Sequence, residues 1–117
     1  MTTPVGPYAP LVRAGDWLVT SGQIGLRDGK LVHGGVQDQL HQALDNLRVL
    51  LAGQGATLGD VVKTTVYLRH LSDYPAMNET YVAAFGDHRP ARSAVGVSEL
   101  PLNALVEIEA WAYIGDG

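Results

Sequence analysis

No stretch of this chain is more restrictive than residues 105–114. Val106, Ile108, Ala110, Ala112 and Ile114 fall at every second position, with Leu105, Glu107, Glu109, Trp111 and Tyr113 between them. A period of two is a strand signature and sends the two sets to opposite faces of a sheet. The first face is uniformly apolar and requires a core. The second sets two carboxylates beside Leu105, Trp111 and Tyr113, so part of it also asks for cover.

The chain can supply cover for one face. From Val36 the apolar residues Leu40, Ala43, Leu44, Leu47, Leu50 and Leu51 recur at spacings of three and four, which predicts an amphipathic helix ended by Gly53 and Gly55. A second helix follows a cap at Ser72 or Asp73, tolerates Pro75 in its first turn, and carries Met77, Tyr81, Ala84 and Phe85 before Gly86 stops it. The other strands are short. Two runs, 11–13 and 17–23, flank Ala14-Gly15-Asp16 and predict a hairpin, and a third strand is expected near Leu31-Val32 after Asp28-Gly29. Residues 61–68 alternate, with Val62, Thr64, Val66 and Leu68 on one side and Lys63, Thr65, Tyr67 and Arg69 on the other; another strand is expected over 91–97.

The order of elements gives an α+β domain, a sheet with two helices on one face. Gly and Pro, 14 and 6 residues, punctuate the pattern without forming a linker, so residues 1–117 read as one domain. The second face of the last strand is then either exposed with stray aromatics or a surface for self-association. Burial of large aromatics favours self-association. Charged residues at 17%, against a usual share of about 25%, point the same way.

Composition also limits function. Eight Lys and Arg against 12 Asp and Glu give a net charge of −4, which argues against general polyanion binding. The absence of cysteine removes disulfides, thiolate metal sites and a cysteine nucleophile, and suits a reducing compartment. With no long apolar run and no basic-then-apolar leader, a cytoplasmic protein is expected. His33, His41, His70 and His88 lack paired ligand spacing, so no metal site is expected. Ser21-Gly22-Gln23 lacks the glycine that a nucleophile elbow places two residues before its serine.

Several polar residues stand where strand or helix patterns prefer apolar ones: Ser21, Asn78, Arg92 and Glu107. Arg92 is either a surface ion-pair partner or an anchor for a planar carboxylate, since guanidinium donates two parallel hydrogen bonds and keeps its charge. Glu107 and Glu109 project to one side about 7 Å apart. They are either solvated or, for one of them in a partly desolvated site, a general base toward water. Tyr8 either closes a pocket or covers the core.

An ordered set of segments resembles one family. These are Gly6-Pro7-Tyr8, Ser21-Gly22-Gln23-Ile24, Ala43-Leu44-Asp45-Asn46-Leu47, the run from Asp60 to Leu68, Asn78-Glu79-Thr80-Tyr81, Arg89-Pro90-Ala91-Arg92-Ser93 and Val106-Glu107-Ile108-Glu109-Ala110. Together they resemble the Rid family, the reactive intermediate enamine/imine deaminases, also called YjgF-like, RidA-like or L-PSP endoribonuclease-like proteins. The resemblance implies a chorismate-mutase-like α+β fold, a mixed sheet with two helices on one face, assembled as a homotrimer with sites between subunits. It implies that Arg92 clamps a substrate carboxylate and that Glu107 holds the attacking water. Tyr8, Ser21, Gly22 and Asn78 match positions lining the cleft, and the backbone N–H of Ala94 faces the ligand. Two features depart from the best-studied branch: Ala94 replaces a frequent cysteine, and the segment before Arg92 is shorter.

The implied activity is hydrolysis of 2-aminoacrylate-type enamines or imines to 2-oxo acids and ammonia, with no cofactor. An imine carbon is already electrophilic, so positioning and exclusion of side reactions supply most of the gain. Two other readings use the same family: a non-catalytic trimer that binds small carboxylates, and an endoribonuclease or translation inhibitor, which the acidic charge balance disfavours.

Overall fold

The leucine stripe that begins at Val36 forms helix α1, Val36–Ala52, and buries Leu40, Leu44, Leu47 and Leu51. In the computed structural model, which describes residues 6–116, this stripe lies on a five-stranded sheet. The strands are β1 (Leu11–Ala14), β2 (Trp17–Thr20), β5 (Val61–Leu68), β6 (Ala91–Gly96) and β7 (Val106–Tyr113); β3 (Leu26–Arg27) and β4 (Lys30–Leu31) form a separate small hairpin. Helix α2, Tyr74–Phe85, lies beside α1 and adds Met77, Tyr81 and Phe85 to the same core. The sheet order is β1-β2-β7-β5-β6, with β5 and β6 parallel and all other pairs antiparallel. The α+β sheet with two helices is therefore as the residues predict, and its mixed character is as the family resemblance implies. Residues 1–5 and 117, on which the expected single-domain span partly falls, lie outside the described residues.

Strand β7 occupies the middle of the sheet, and its alternation is realised in full. Val106, Ile108, Ala110 and Ala112 are sealed in the core, while Glu107, Glu109 and Tyr113 are half-buried and Trp111 exposed on the other face. Trp17 stands edge-on to Trp111 and Tyr113, with ring centroids 6.1 and 5.0 Å away. No covering element lies over this face within the described chain, and two large indoles remain 39% and 45% exposed there.

Three local expectations are corrected. Val62 does not share a side with Thr64: a bulge between Val61 and Lys63 turns Val61 inward and Val62 outward. The third strand is a two-stranded hairpin, because Asp28 and Gly29 both take positive φ (55° and 78°), the geometry of a two-residue turn that returns the chain at once. Neither Ser72 nor Asp73 caps α2 with its side chain. A 3-10 turn, Leu71–Asp73, runs directly into the helix, and the amides of Asp73 and Tyr74 donate to the carbonyls of His70 and Leu71. No helix among the described residues is long and apolar enough to cross a membrane.

One buried polar pair ties α2 to the sheet. The Thr64 hydroxyl, fully buried on β5, lies 2.7 Å from the Tyr81 hydroxyl. Thr64→Val should cost about 1–3 kcal/mol by leaving Tyr81 unpartnered, and adding Tyr81→Phe should recover most of that loss. Urea unfolding at one fixed protein concentration reads both; equal and additive losses would show that the hydrogen bond is not what the core depends on.

Candidate active site

Glu107 is placed by the register of β7, opposite Tyr67 of β5 on the open sheet face. Its carboxylate is half-buried and receives no hydrogen bond from any described residue. The chain leaving β2 passes close beside it. Gln23 and Ile108 exchange backbone hydrogen bonds of 2.7 and 3.0 Å, which pins Gly22 so near that a Cβ there would overlap the Glu107 carboxylate. Burial pushes the Glu107 carboxyl above the ordinary carboxylate range, and the neighbouring charge of Glu109 adds to the rise.

Ser21 secures the other wall. Its hydroxyl donates to Ala9 O at 2.6 Å and its amide to Pro10 O at 2.9 Å, so the segment carrying Tyr8 is tied to the end of β2. Tyr8 is 46% exposed, its ring lying over Gly6. Ser21 and Gly22 thus lie beside Glu107, and the segment that carries Tyr8 is tied to them through Ala9 and Pro10.

Arg92 belongs to a second group, on the other side of the sheet. It pairs with Thr64, whose side chain faces α2, and its guanidinium lies 4.7 Å from the centre of the Tyr81 ring and 5.4 Å from that of Tyr74. One terminal nitrogen donates to the Tyr74 hydroxyl at 2.8 Å and the other reaches the Met77 sulfur at 3.8 Å. Burial pushes the Tyr81 hydroxyl upward against smaller lowering contributions from Thr64 and Arg92. Asn78 stands one turn after Tyr74 on the same helix, and its Oδ1 is buried without a hydrogen-bond partner. Such an acceptor is expensive to leave unpaired.

Ala94 lies two residues beyond Arg92 on β6, the outermost strand of this side. The amide of Val97 donates inward to Leu68 O at 2.9 Å. Alternation along the strand turns the amides of Ser93 and Val95 the same way, and those of Arg92 and Ala94 outward to the free edge. The Ala94 N–H is therefore unused by the sheet.

The two groups do not meet within one chain. Arg92 pairs with Thr64 and Thr64 with Ala110, three residues from Glu107 and two strands across. That separation is about 14 Å between backbones, with the side chains on opposite faces. A groove of about 440 Å³ between α1 and α2, bordered by Gln37, His41, Arg48 and Glu79, contains none of these residues. Among the described residues no three His, Asp or Glu side chains converge as a metal site.

Sequence reasoning did not single out Tyr74 or the Tyr67–Glu109 pair. Tyr74 sits four residues before Asn78 and seven before Tyr81, a helical spacing that marks one stripe but says nothing of the strand it faces. The Tyr67 hydroxyl donates to Glu109 Oε1 at 2.5 Å across β5 and β7, and only the strand register brings the two together.

The endoribonuclease L-PSP family matches residues 1–114. A RutC family protein of Pyrococcus horikoshii is 46% identical over 112 residues, covering 94% of this chain and 89% of that one. A protein of Escherichia coli K12 named 2-iminobutanoate/2-iminopropanoate deaminase is 42% identical over 113 residues, covering 92% and 88%. The crystal structure of RidA from an Antarctic Psychrobacter superposes with a TM-score of 0.92 at 38% identity, covering 96% of this chain and 92% of that one. On the match across nearly its whole length, this chain belongs to the endoribonuclease L-PSP family, the Rid proteins that its ordered motifs resemble.

Proposed function

We propose that this protein is a reactive-intermediate deaminase that hydrolyses small imines and enamines of the 2-aminoacrylate type to 2-oxo acids and ammonia, in sites formed between the chains of a homotrimer. The observation that carries the reading is the division of the two groups: Arg92, its guanidinium set by Tyr74 and Tyr81, and Glu107, whose carboxylate receives no hydrogen bond from a described residue, face away from each other in one chain. The open face of β7, with Trp17 and Trp111 exposed beside the two glutamates, supports association at that surface. The names of similar proteins support the chemistry. A cytoplasmic location belongs to the same reading, supported by the absence of cysteine.

In this reading Arg92 of one chain holds the substrate carboxylate, its guanidinium already oriented by Tyr74 and Tyr81, with the outward N–H of Ala94 and the amide of Asn78 as further contacts. Tyr8, Ser21 and Gly22 of the next chain wall the cleft around its Glu107. Water bound to Glu107 gives up a proton to the carboxylate as its oxygen adds to the imine carbon. That proton passes to the nitrogen to give a carbinolamine; Glu107 then takes the hydroxyl proton and returns it to the amino group, so that the C–N bond breaks and ammonia leaves as the carbonyl forms. No redox change occurs, and the imine supplies the electrophile.

Arg92→Ala should weaken 2-oxo acid binding about ten- to a hundred-fold, and Arg92→Lys should recover little of it. Glu107→Gln should keep that binding while hydrolysis of an imine generated in situ by a serine or threonine dehydratase falls about a hundred-fold. Binding titration and ammonia release, run side by side, check both; wild-type turnover in either variant would remove that residue from the site, and a wild-type protein that binds without turnover would leave a carboxylate-binding trimer.

Gly22→Ala isolates the cleft geometry. Gly22 has no left-handed backbone to strain, so its added methyl acts by displacing the Glu107 carboxylate. Turnover should fall on the order of ten-fold or more with little change in unfolding midpoint. Unchanged turnover would mean that Glu107 works from a different position.

A further inference from the structure

Glu109 shares the open face with Glu107 but is not part of the chemistry proposed above, and its contact with Tyr67 is unexplained by that chemistry. The phenol and the carboxylate lie 2.5 Å apart, partly shielded from solvent, and the same Tyr67 is the cross-strand neighbour of Glu107. A side chain that binds one of two like-charged neighbours and stands against the other controls their separation. Carboxylates two apart on a strand repel, and a free Glu109 would relieve this by swinging into water. The Tyr67 hydroxyl prevents that by giving Glu109 a charge-assisted hydrogen bond on the sheet surface.

We propose that Tyr67 and Glu109 form a positioning pair for Glu107: the phenol fastens the Glu109 carboxylate beside it, and this fixed negative charge makes Glu107 a better acceptor of a proton from water. The inference rests on the deaminase reading in taking water as the proton donor, but its electrostatic part belongs to the chain alone. Burial is the first cause of the rise at Glu107, and Glu109 is the second. The other partner responds as well: the hydrogen bond to Glu109 is the chief reason the Tyr67 hydroxyl is pushed up to about 12, so Tyr67 stays a donor through the neutral range.

Lys63 and Arg69, which the alternation of β5 sends to the side of Tyr67, form no ion pair with either glutamate among the described residues. On β5, the Lys63 ammonium donates to the Ser93 hydroxyl of β6 at 2.9 Å. Arg69, just after β5, joins Leu105 through its backbone amide. The ion pairs among the described residues, Arg13–Asp16, His41–Asp45 and Arg48–Asp45, involve neither glutamate. The segment from Ser21 to Gln23 adds no charge. An Arg92 brought by a neighbouring chain would act equally in wild type and variants, and so drops out of their comparison.

The test follows the Glu107 carboxyl directly, by carbon NMR of glutamate-labelled protein titrated from about pH 3 to 8, with Glu107→Gln to assign the signal. Glu109→Gln keeps the size and can still accept from Tyr67, but removes the charge; it should lower the Glu107 midpoint by about half to one pH unit. Tyr67→Phe should lower it by less, and Glu109→Asp, which keeps the charge on a shorter arm, should fall between wild type and Glu109→Gln. In the coupled assay the acid limb of kcat/KM should move down by the same amount, because Glu107 must be unprotonated to take a proton and activity fails as pH falls through its value. Turnover at neutral pH should change only a few-fold. A Glu107 midpoint that stays put in both Glu109→Gln and Tyr67→Phe overturns the pair, as does a loss of rate with an unmoved acid limb. Failure of the wild-type protein to turn over any imine would instead overturn the deaminase reading, and the NMR titration would still decide the electrostatics.

Discussion

Along β7 the side chains pass alternately into a sealed apolar core and onto an open sheet face, and both the fold and the site hang on that alternation. Val106, Ile108, Ala110 and Ala112 are where α1 and α2 find the sheet. The same backbone holds Glu107 and Glu109 on the far side at a spacing no rotation can alter. A one-residue slip of β7 would bury both carboxylates against leucines and expose the core, a cost of several kcal/mol per charge. The core therefore enforces the position of the site's carboxylates.

The second half of the proposed site is organised by different physics. Arg92 is held on the helix side of an outer strand by two aromatic faces and one phenolic hydroxyl. Cation–π contacts of this kind contribute about 0.5–2 kcal/mol each and leave guanidinium N–H groups for a ligand. A side chain ordered in advance loses less entropy when it captures a carboxylate. The cost sits on Asn78, whose buried acceptor has no donor within the described chain. Each half is thus arranged for something it lacks, and a site assembled from two chains accounts for both.

Much of this was legible in the residues. The helix spanning the leucines after Val36 and the two faces of β7 follow from periodicity, because burial alone sets those patterns, and the hairpin at Gly15 follows from the turn residues between two short runs. Val62 is misplaced because a bulge adds a residue without changing composition; Asp73 does stand at the N-cap of α2, but backbone carbonyls do the work expected of its side chain. Among site residues, Gly22 was legible only through family resemblance; its physical reason, the approach of Glu107, depends on a bridge between residues far apart in sequence. The opposition of Arg92 and Glu107 was not legible at all, since it requires the order β7-β5-β6 and the parallel register of the last pair.

The central claim, that one site draws Arg92 and Glu107 from different chains, is tested most directly by subunit mixing. Arg92→Ala and Glu107→Gln proteins, each expected to be strongly impaired alone, are unfolded together, refolded and assayed for imine hydrolysis. Mixed trimers contain one interface in which an intact Arg92 meets an intact Glu107, so a substantial fraction of wild-type activity should return, on the order of a quarter for random assembly. Recovery that remains at the level of the separate variants, in trimers shown by mass to contain both chains, would contradict the account and place both residues in a site built by a single chain.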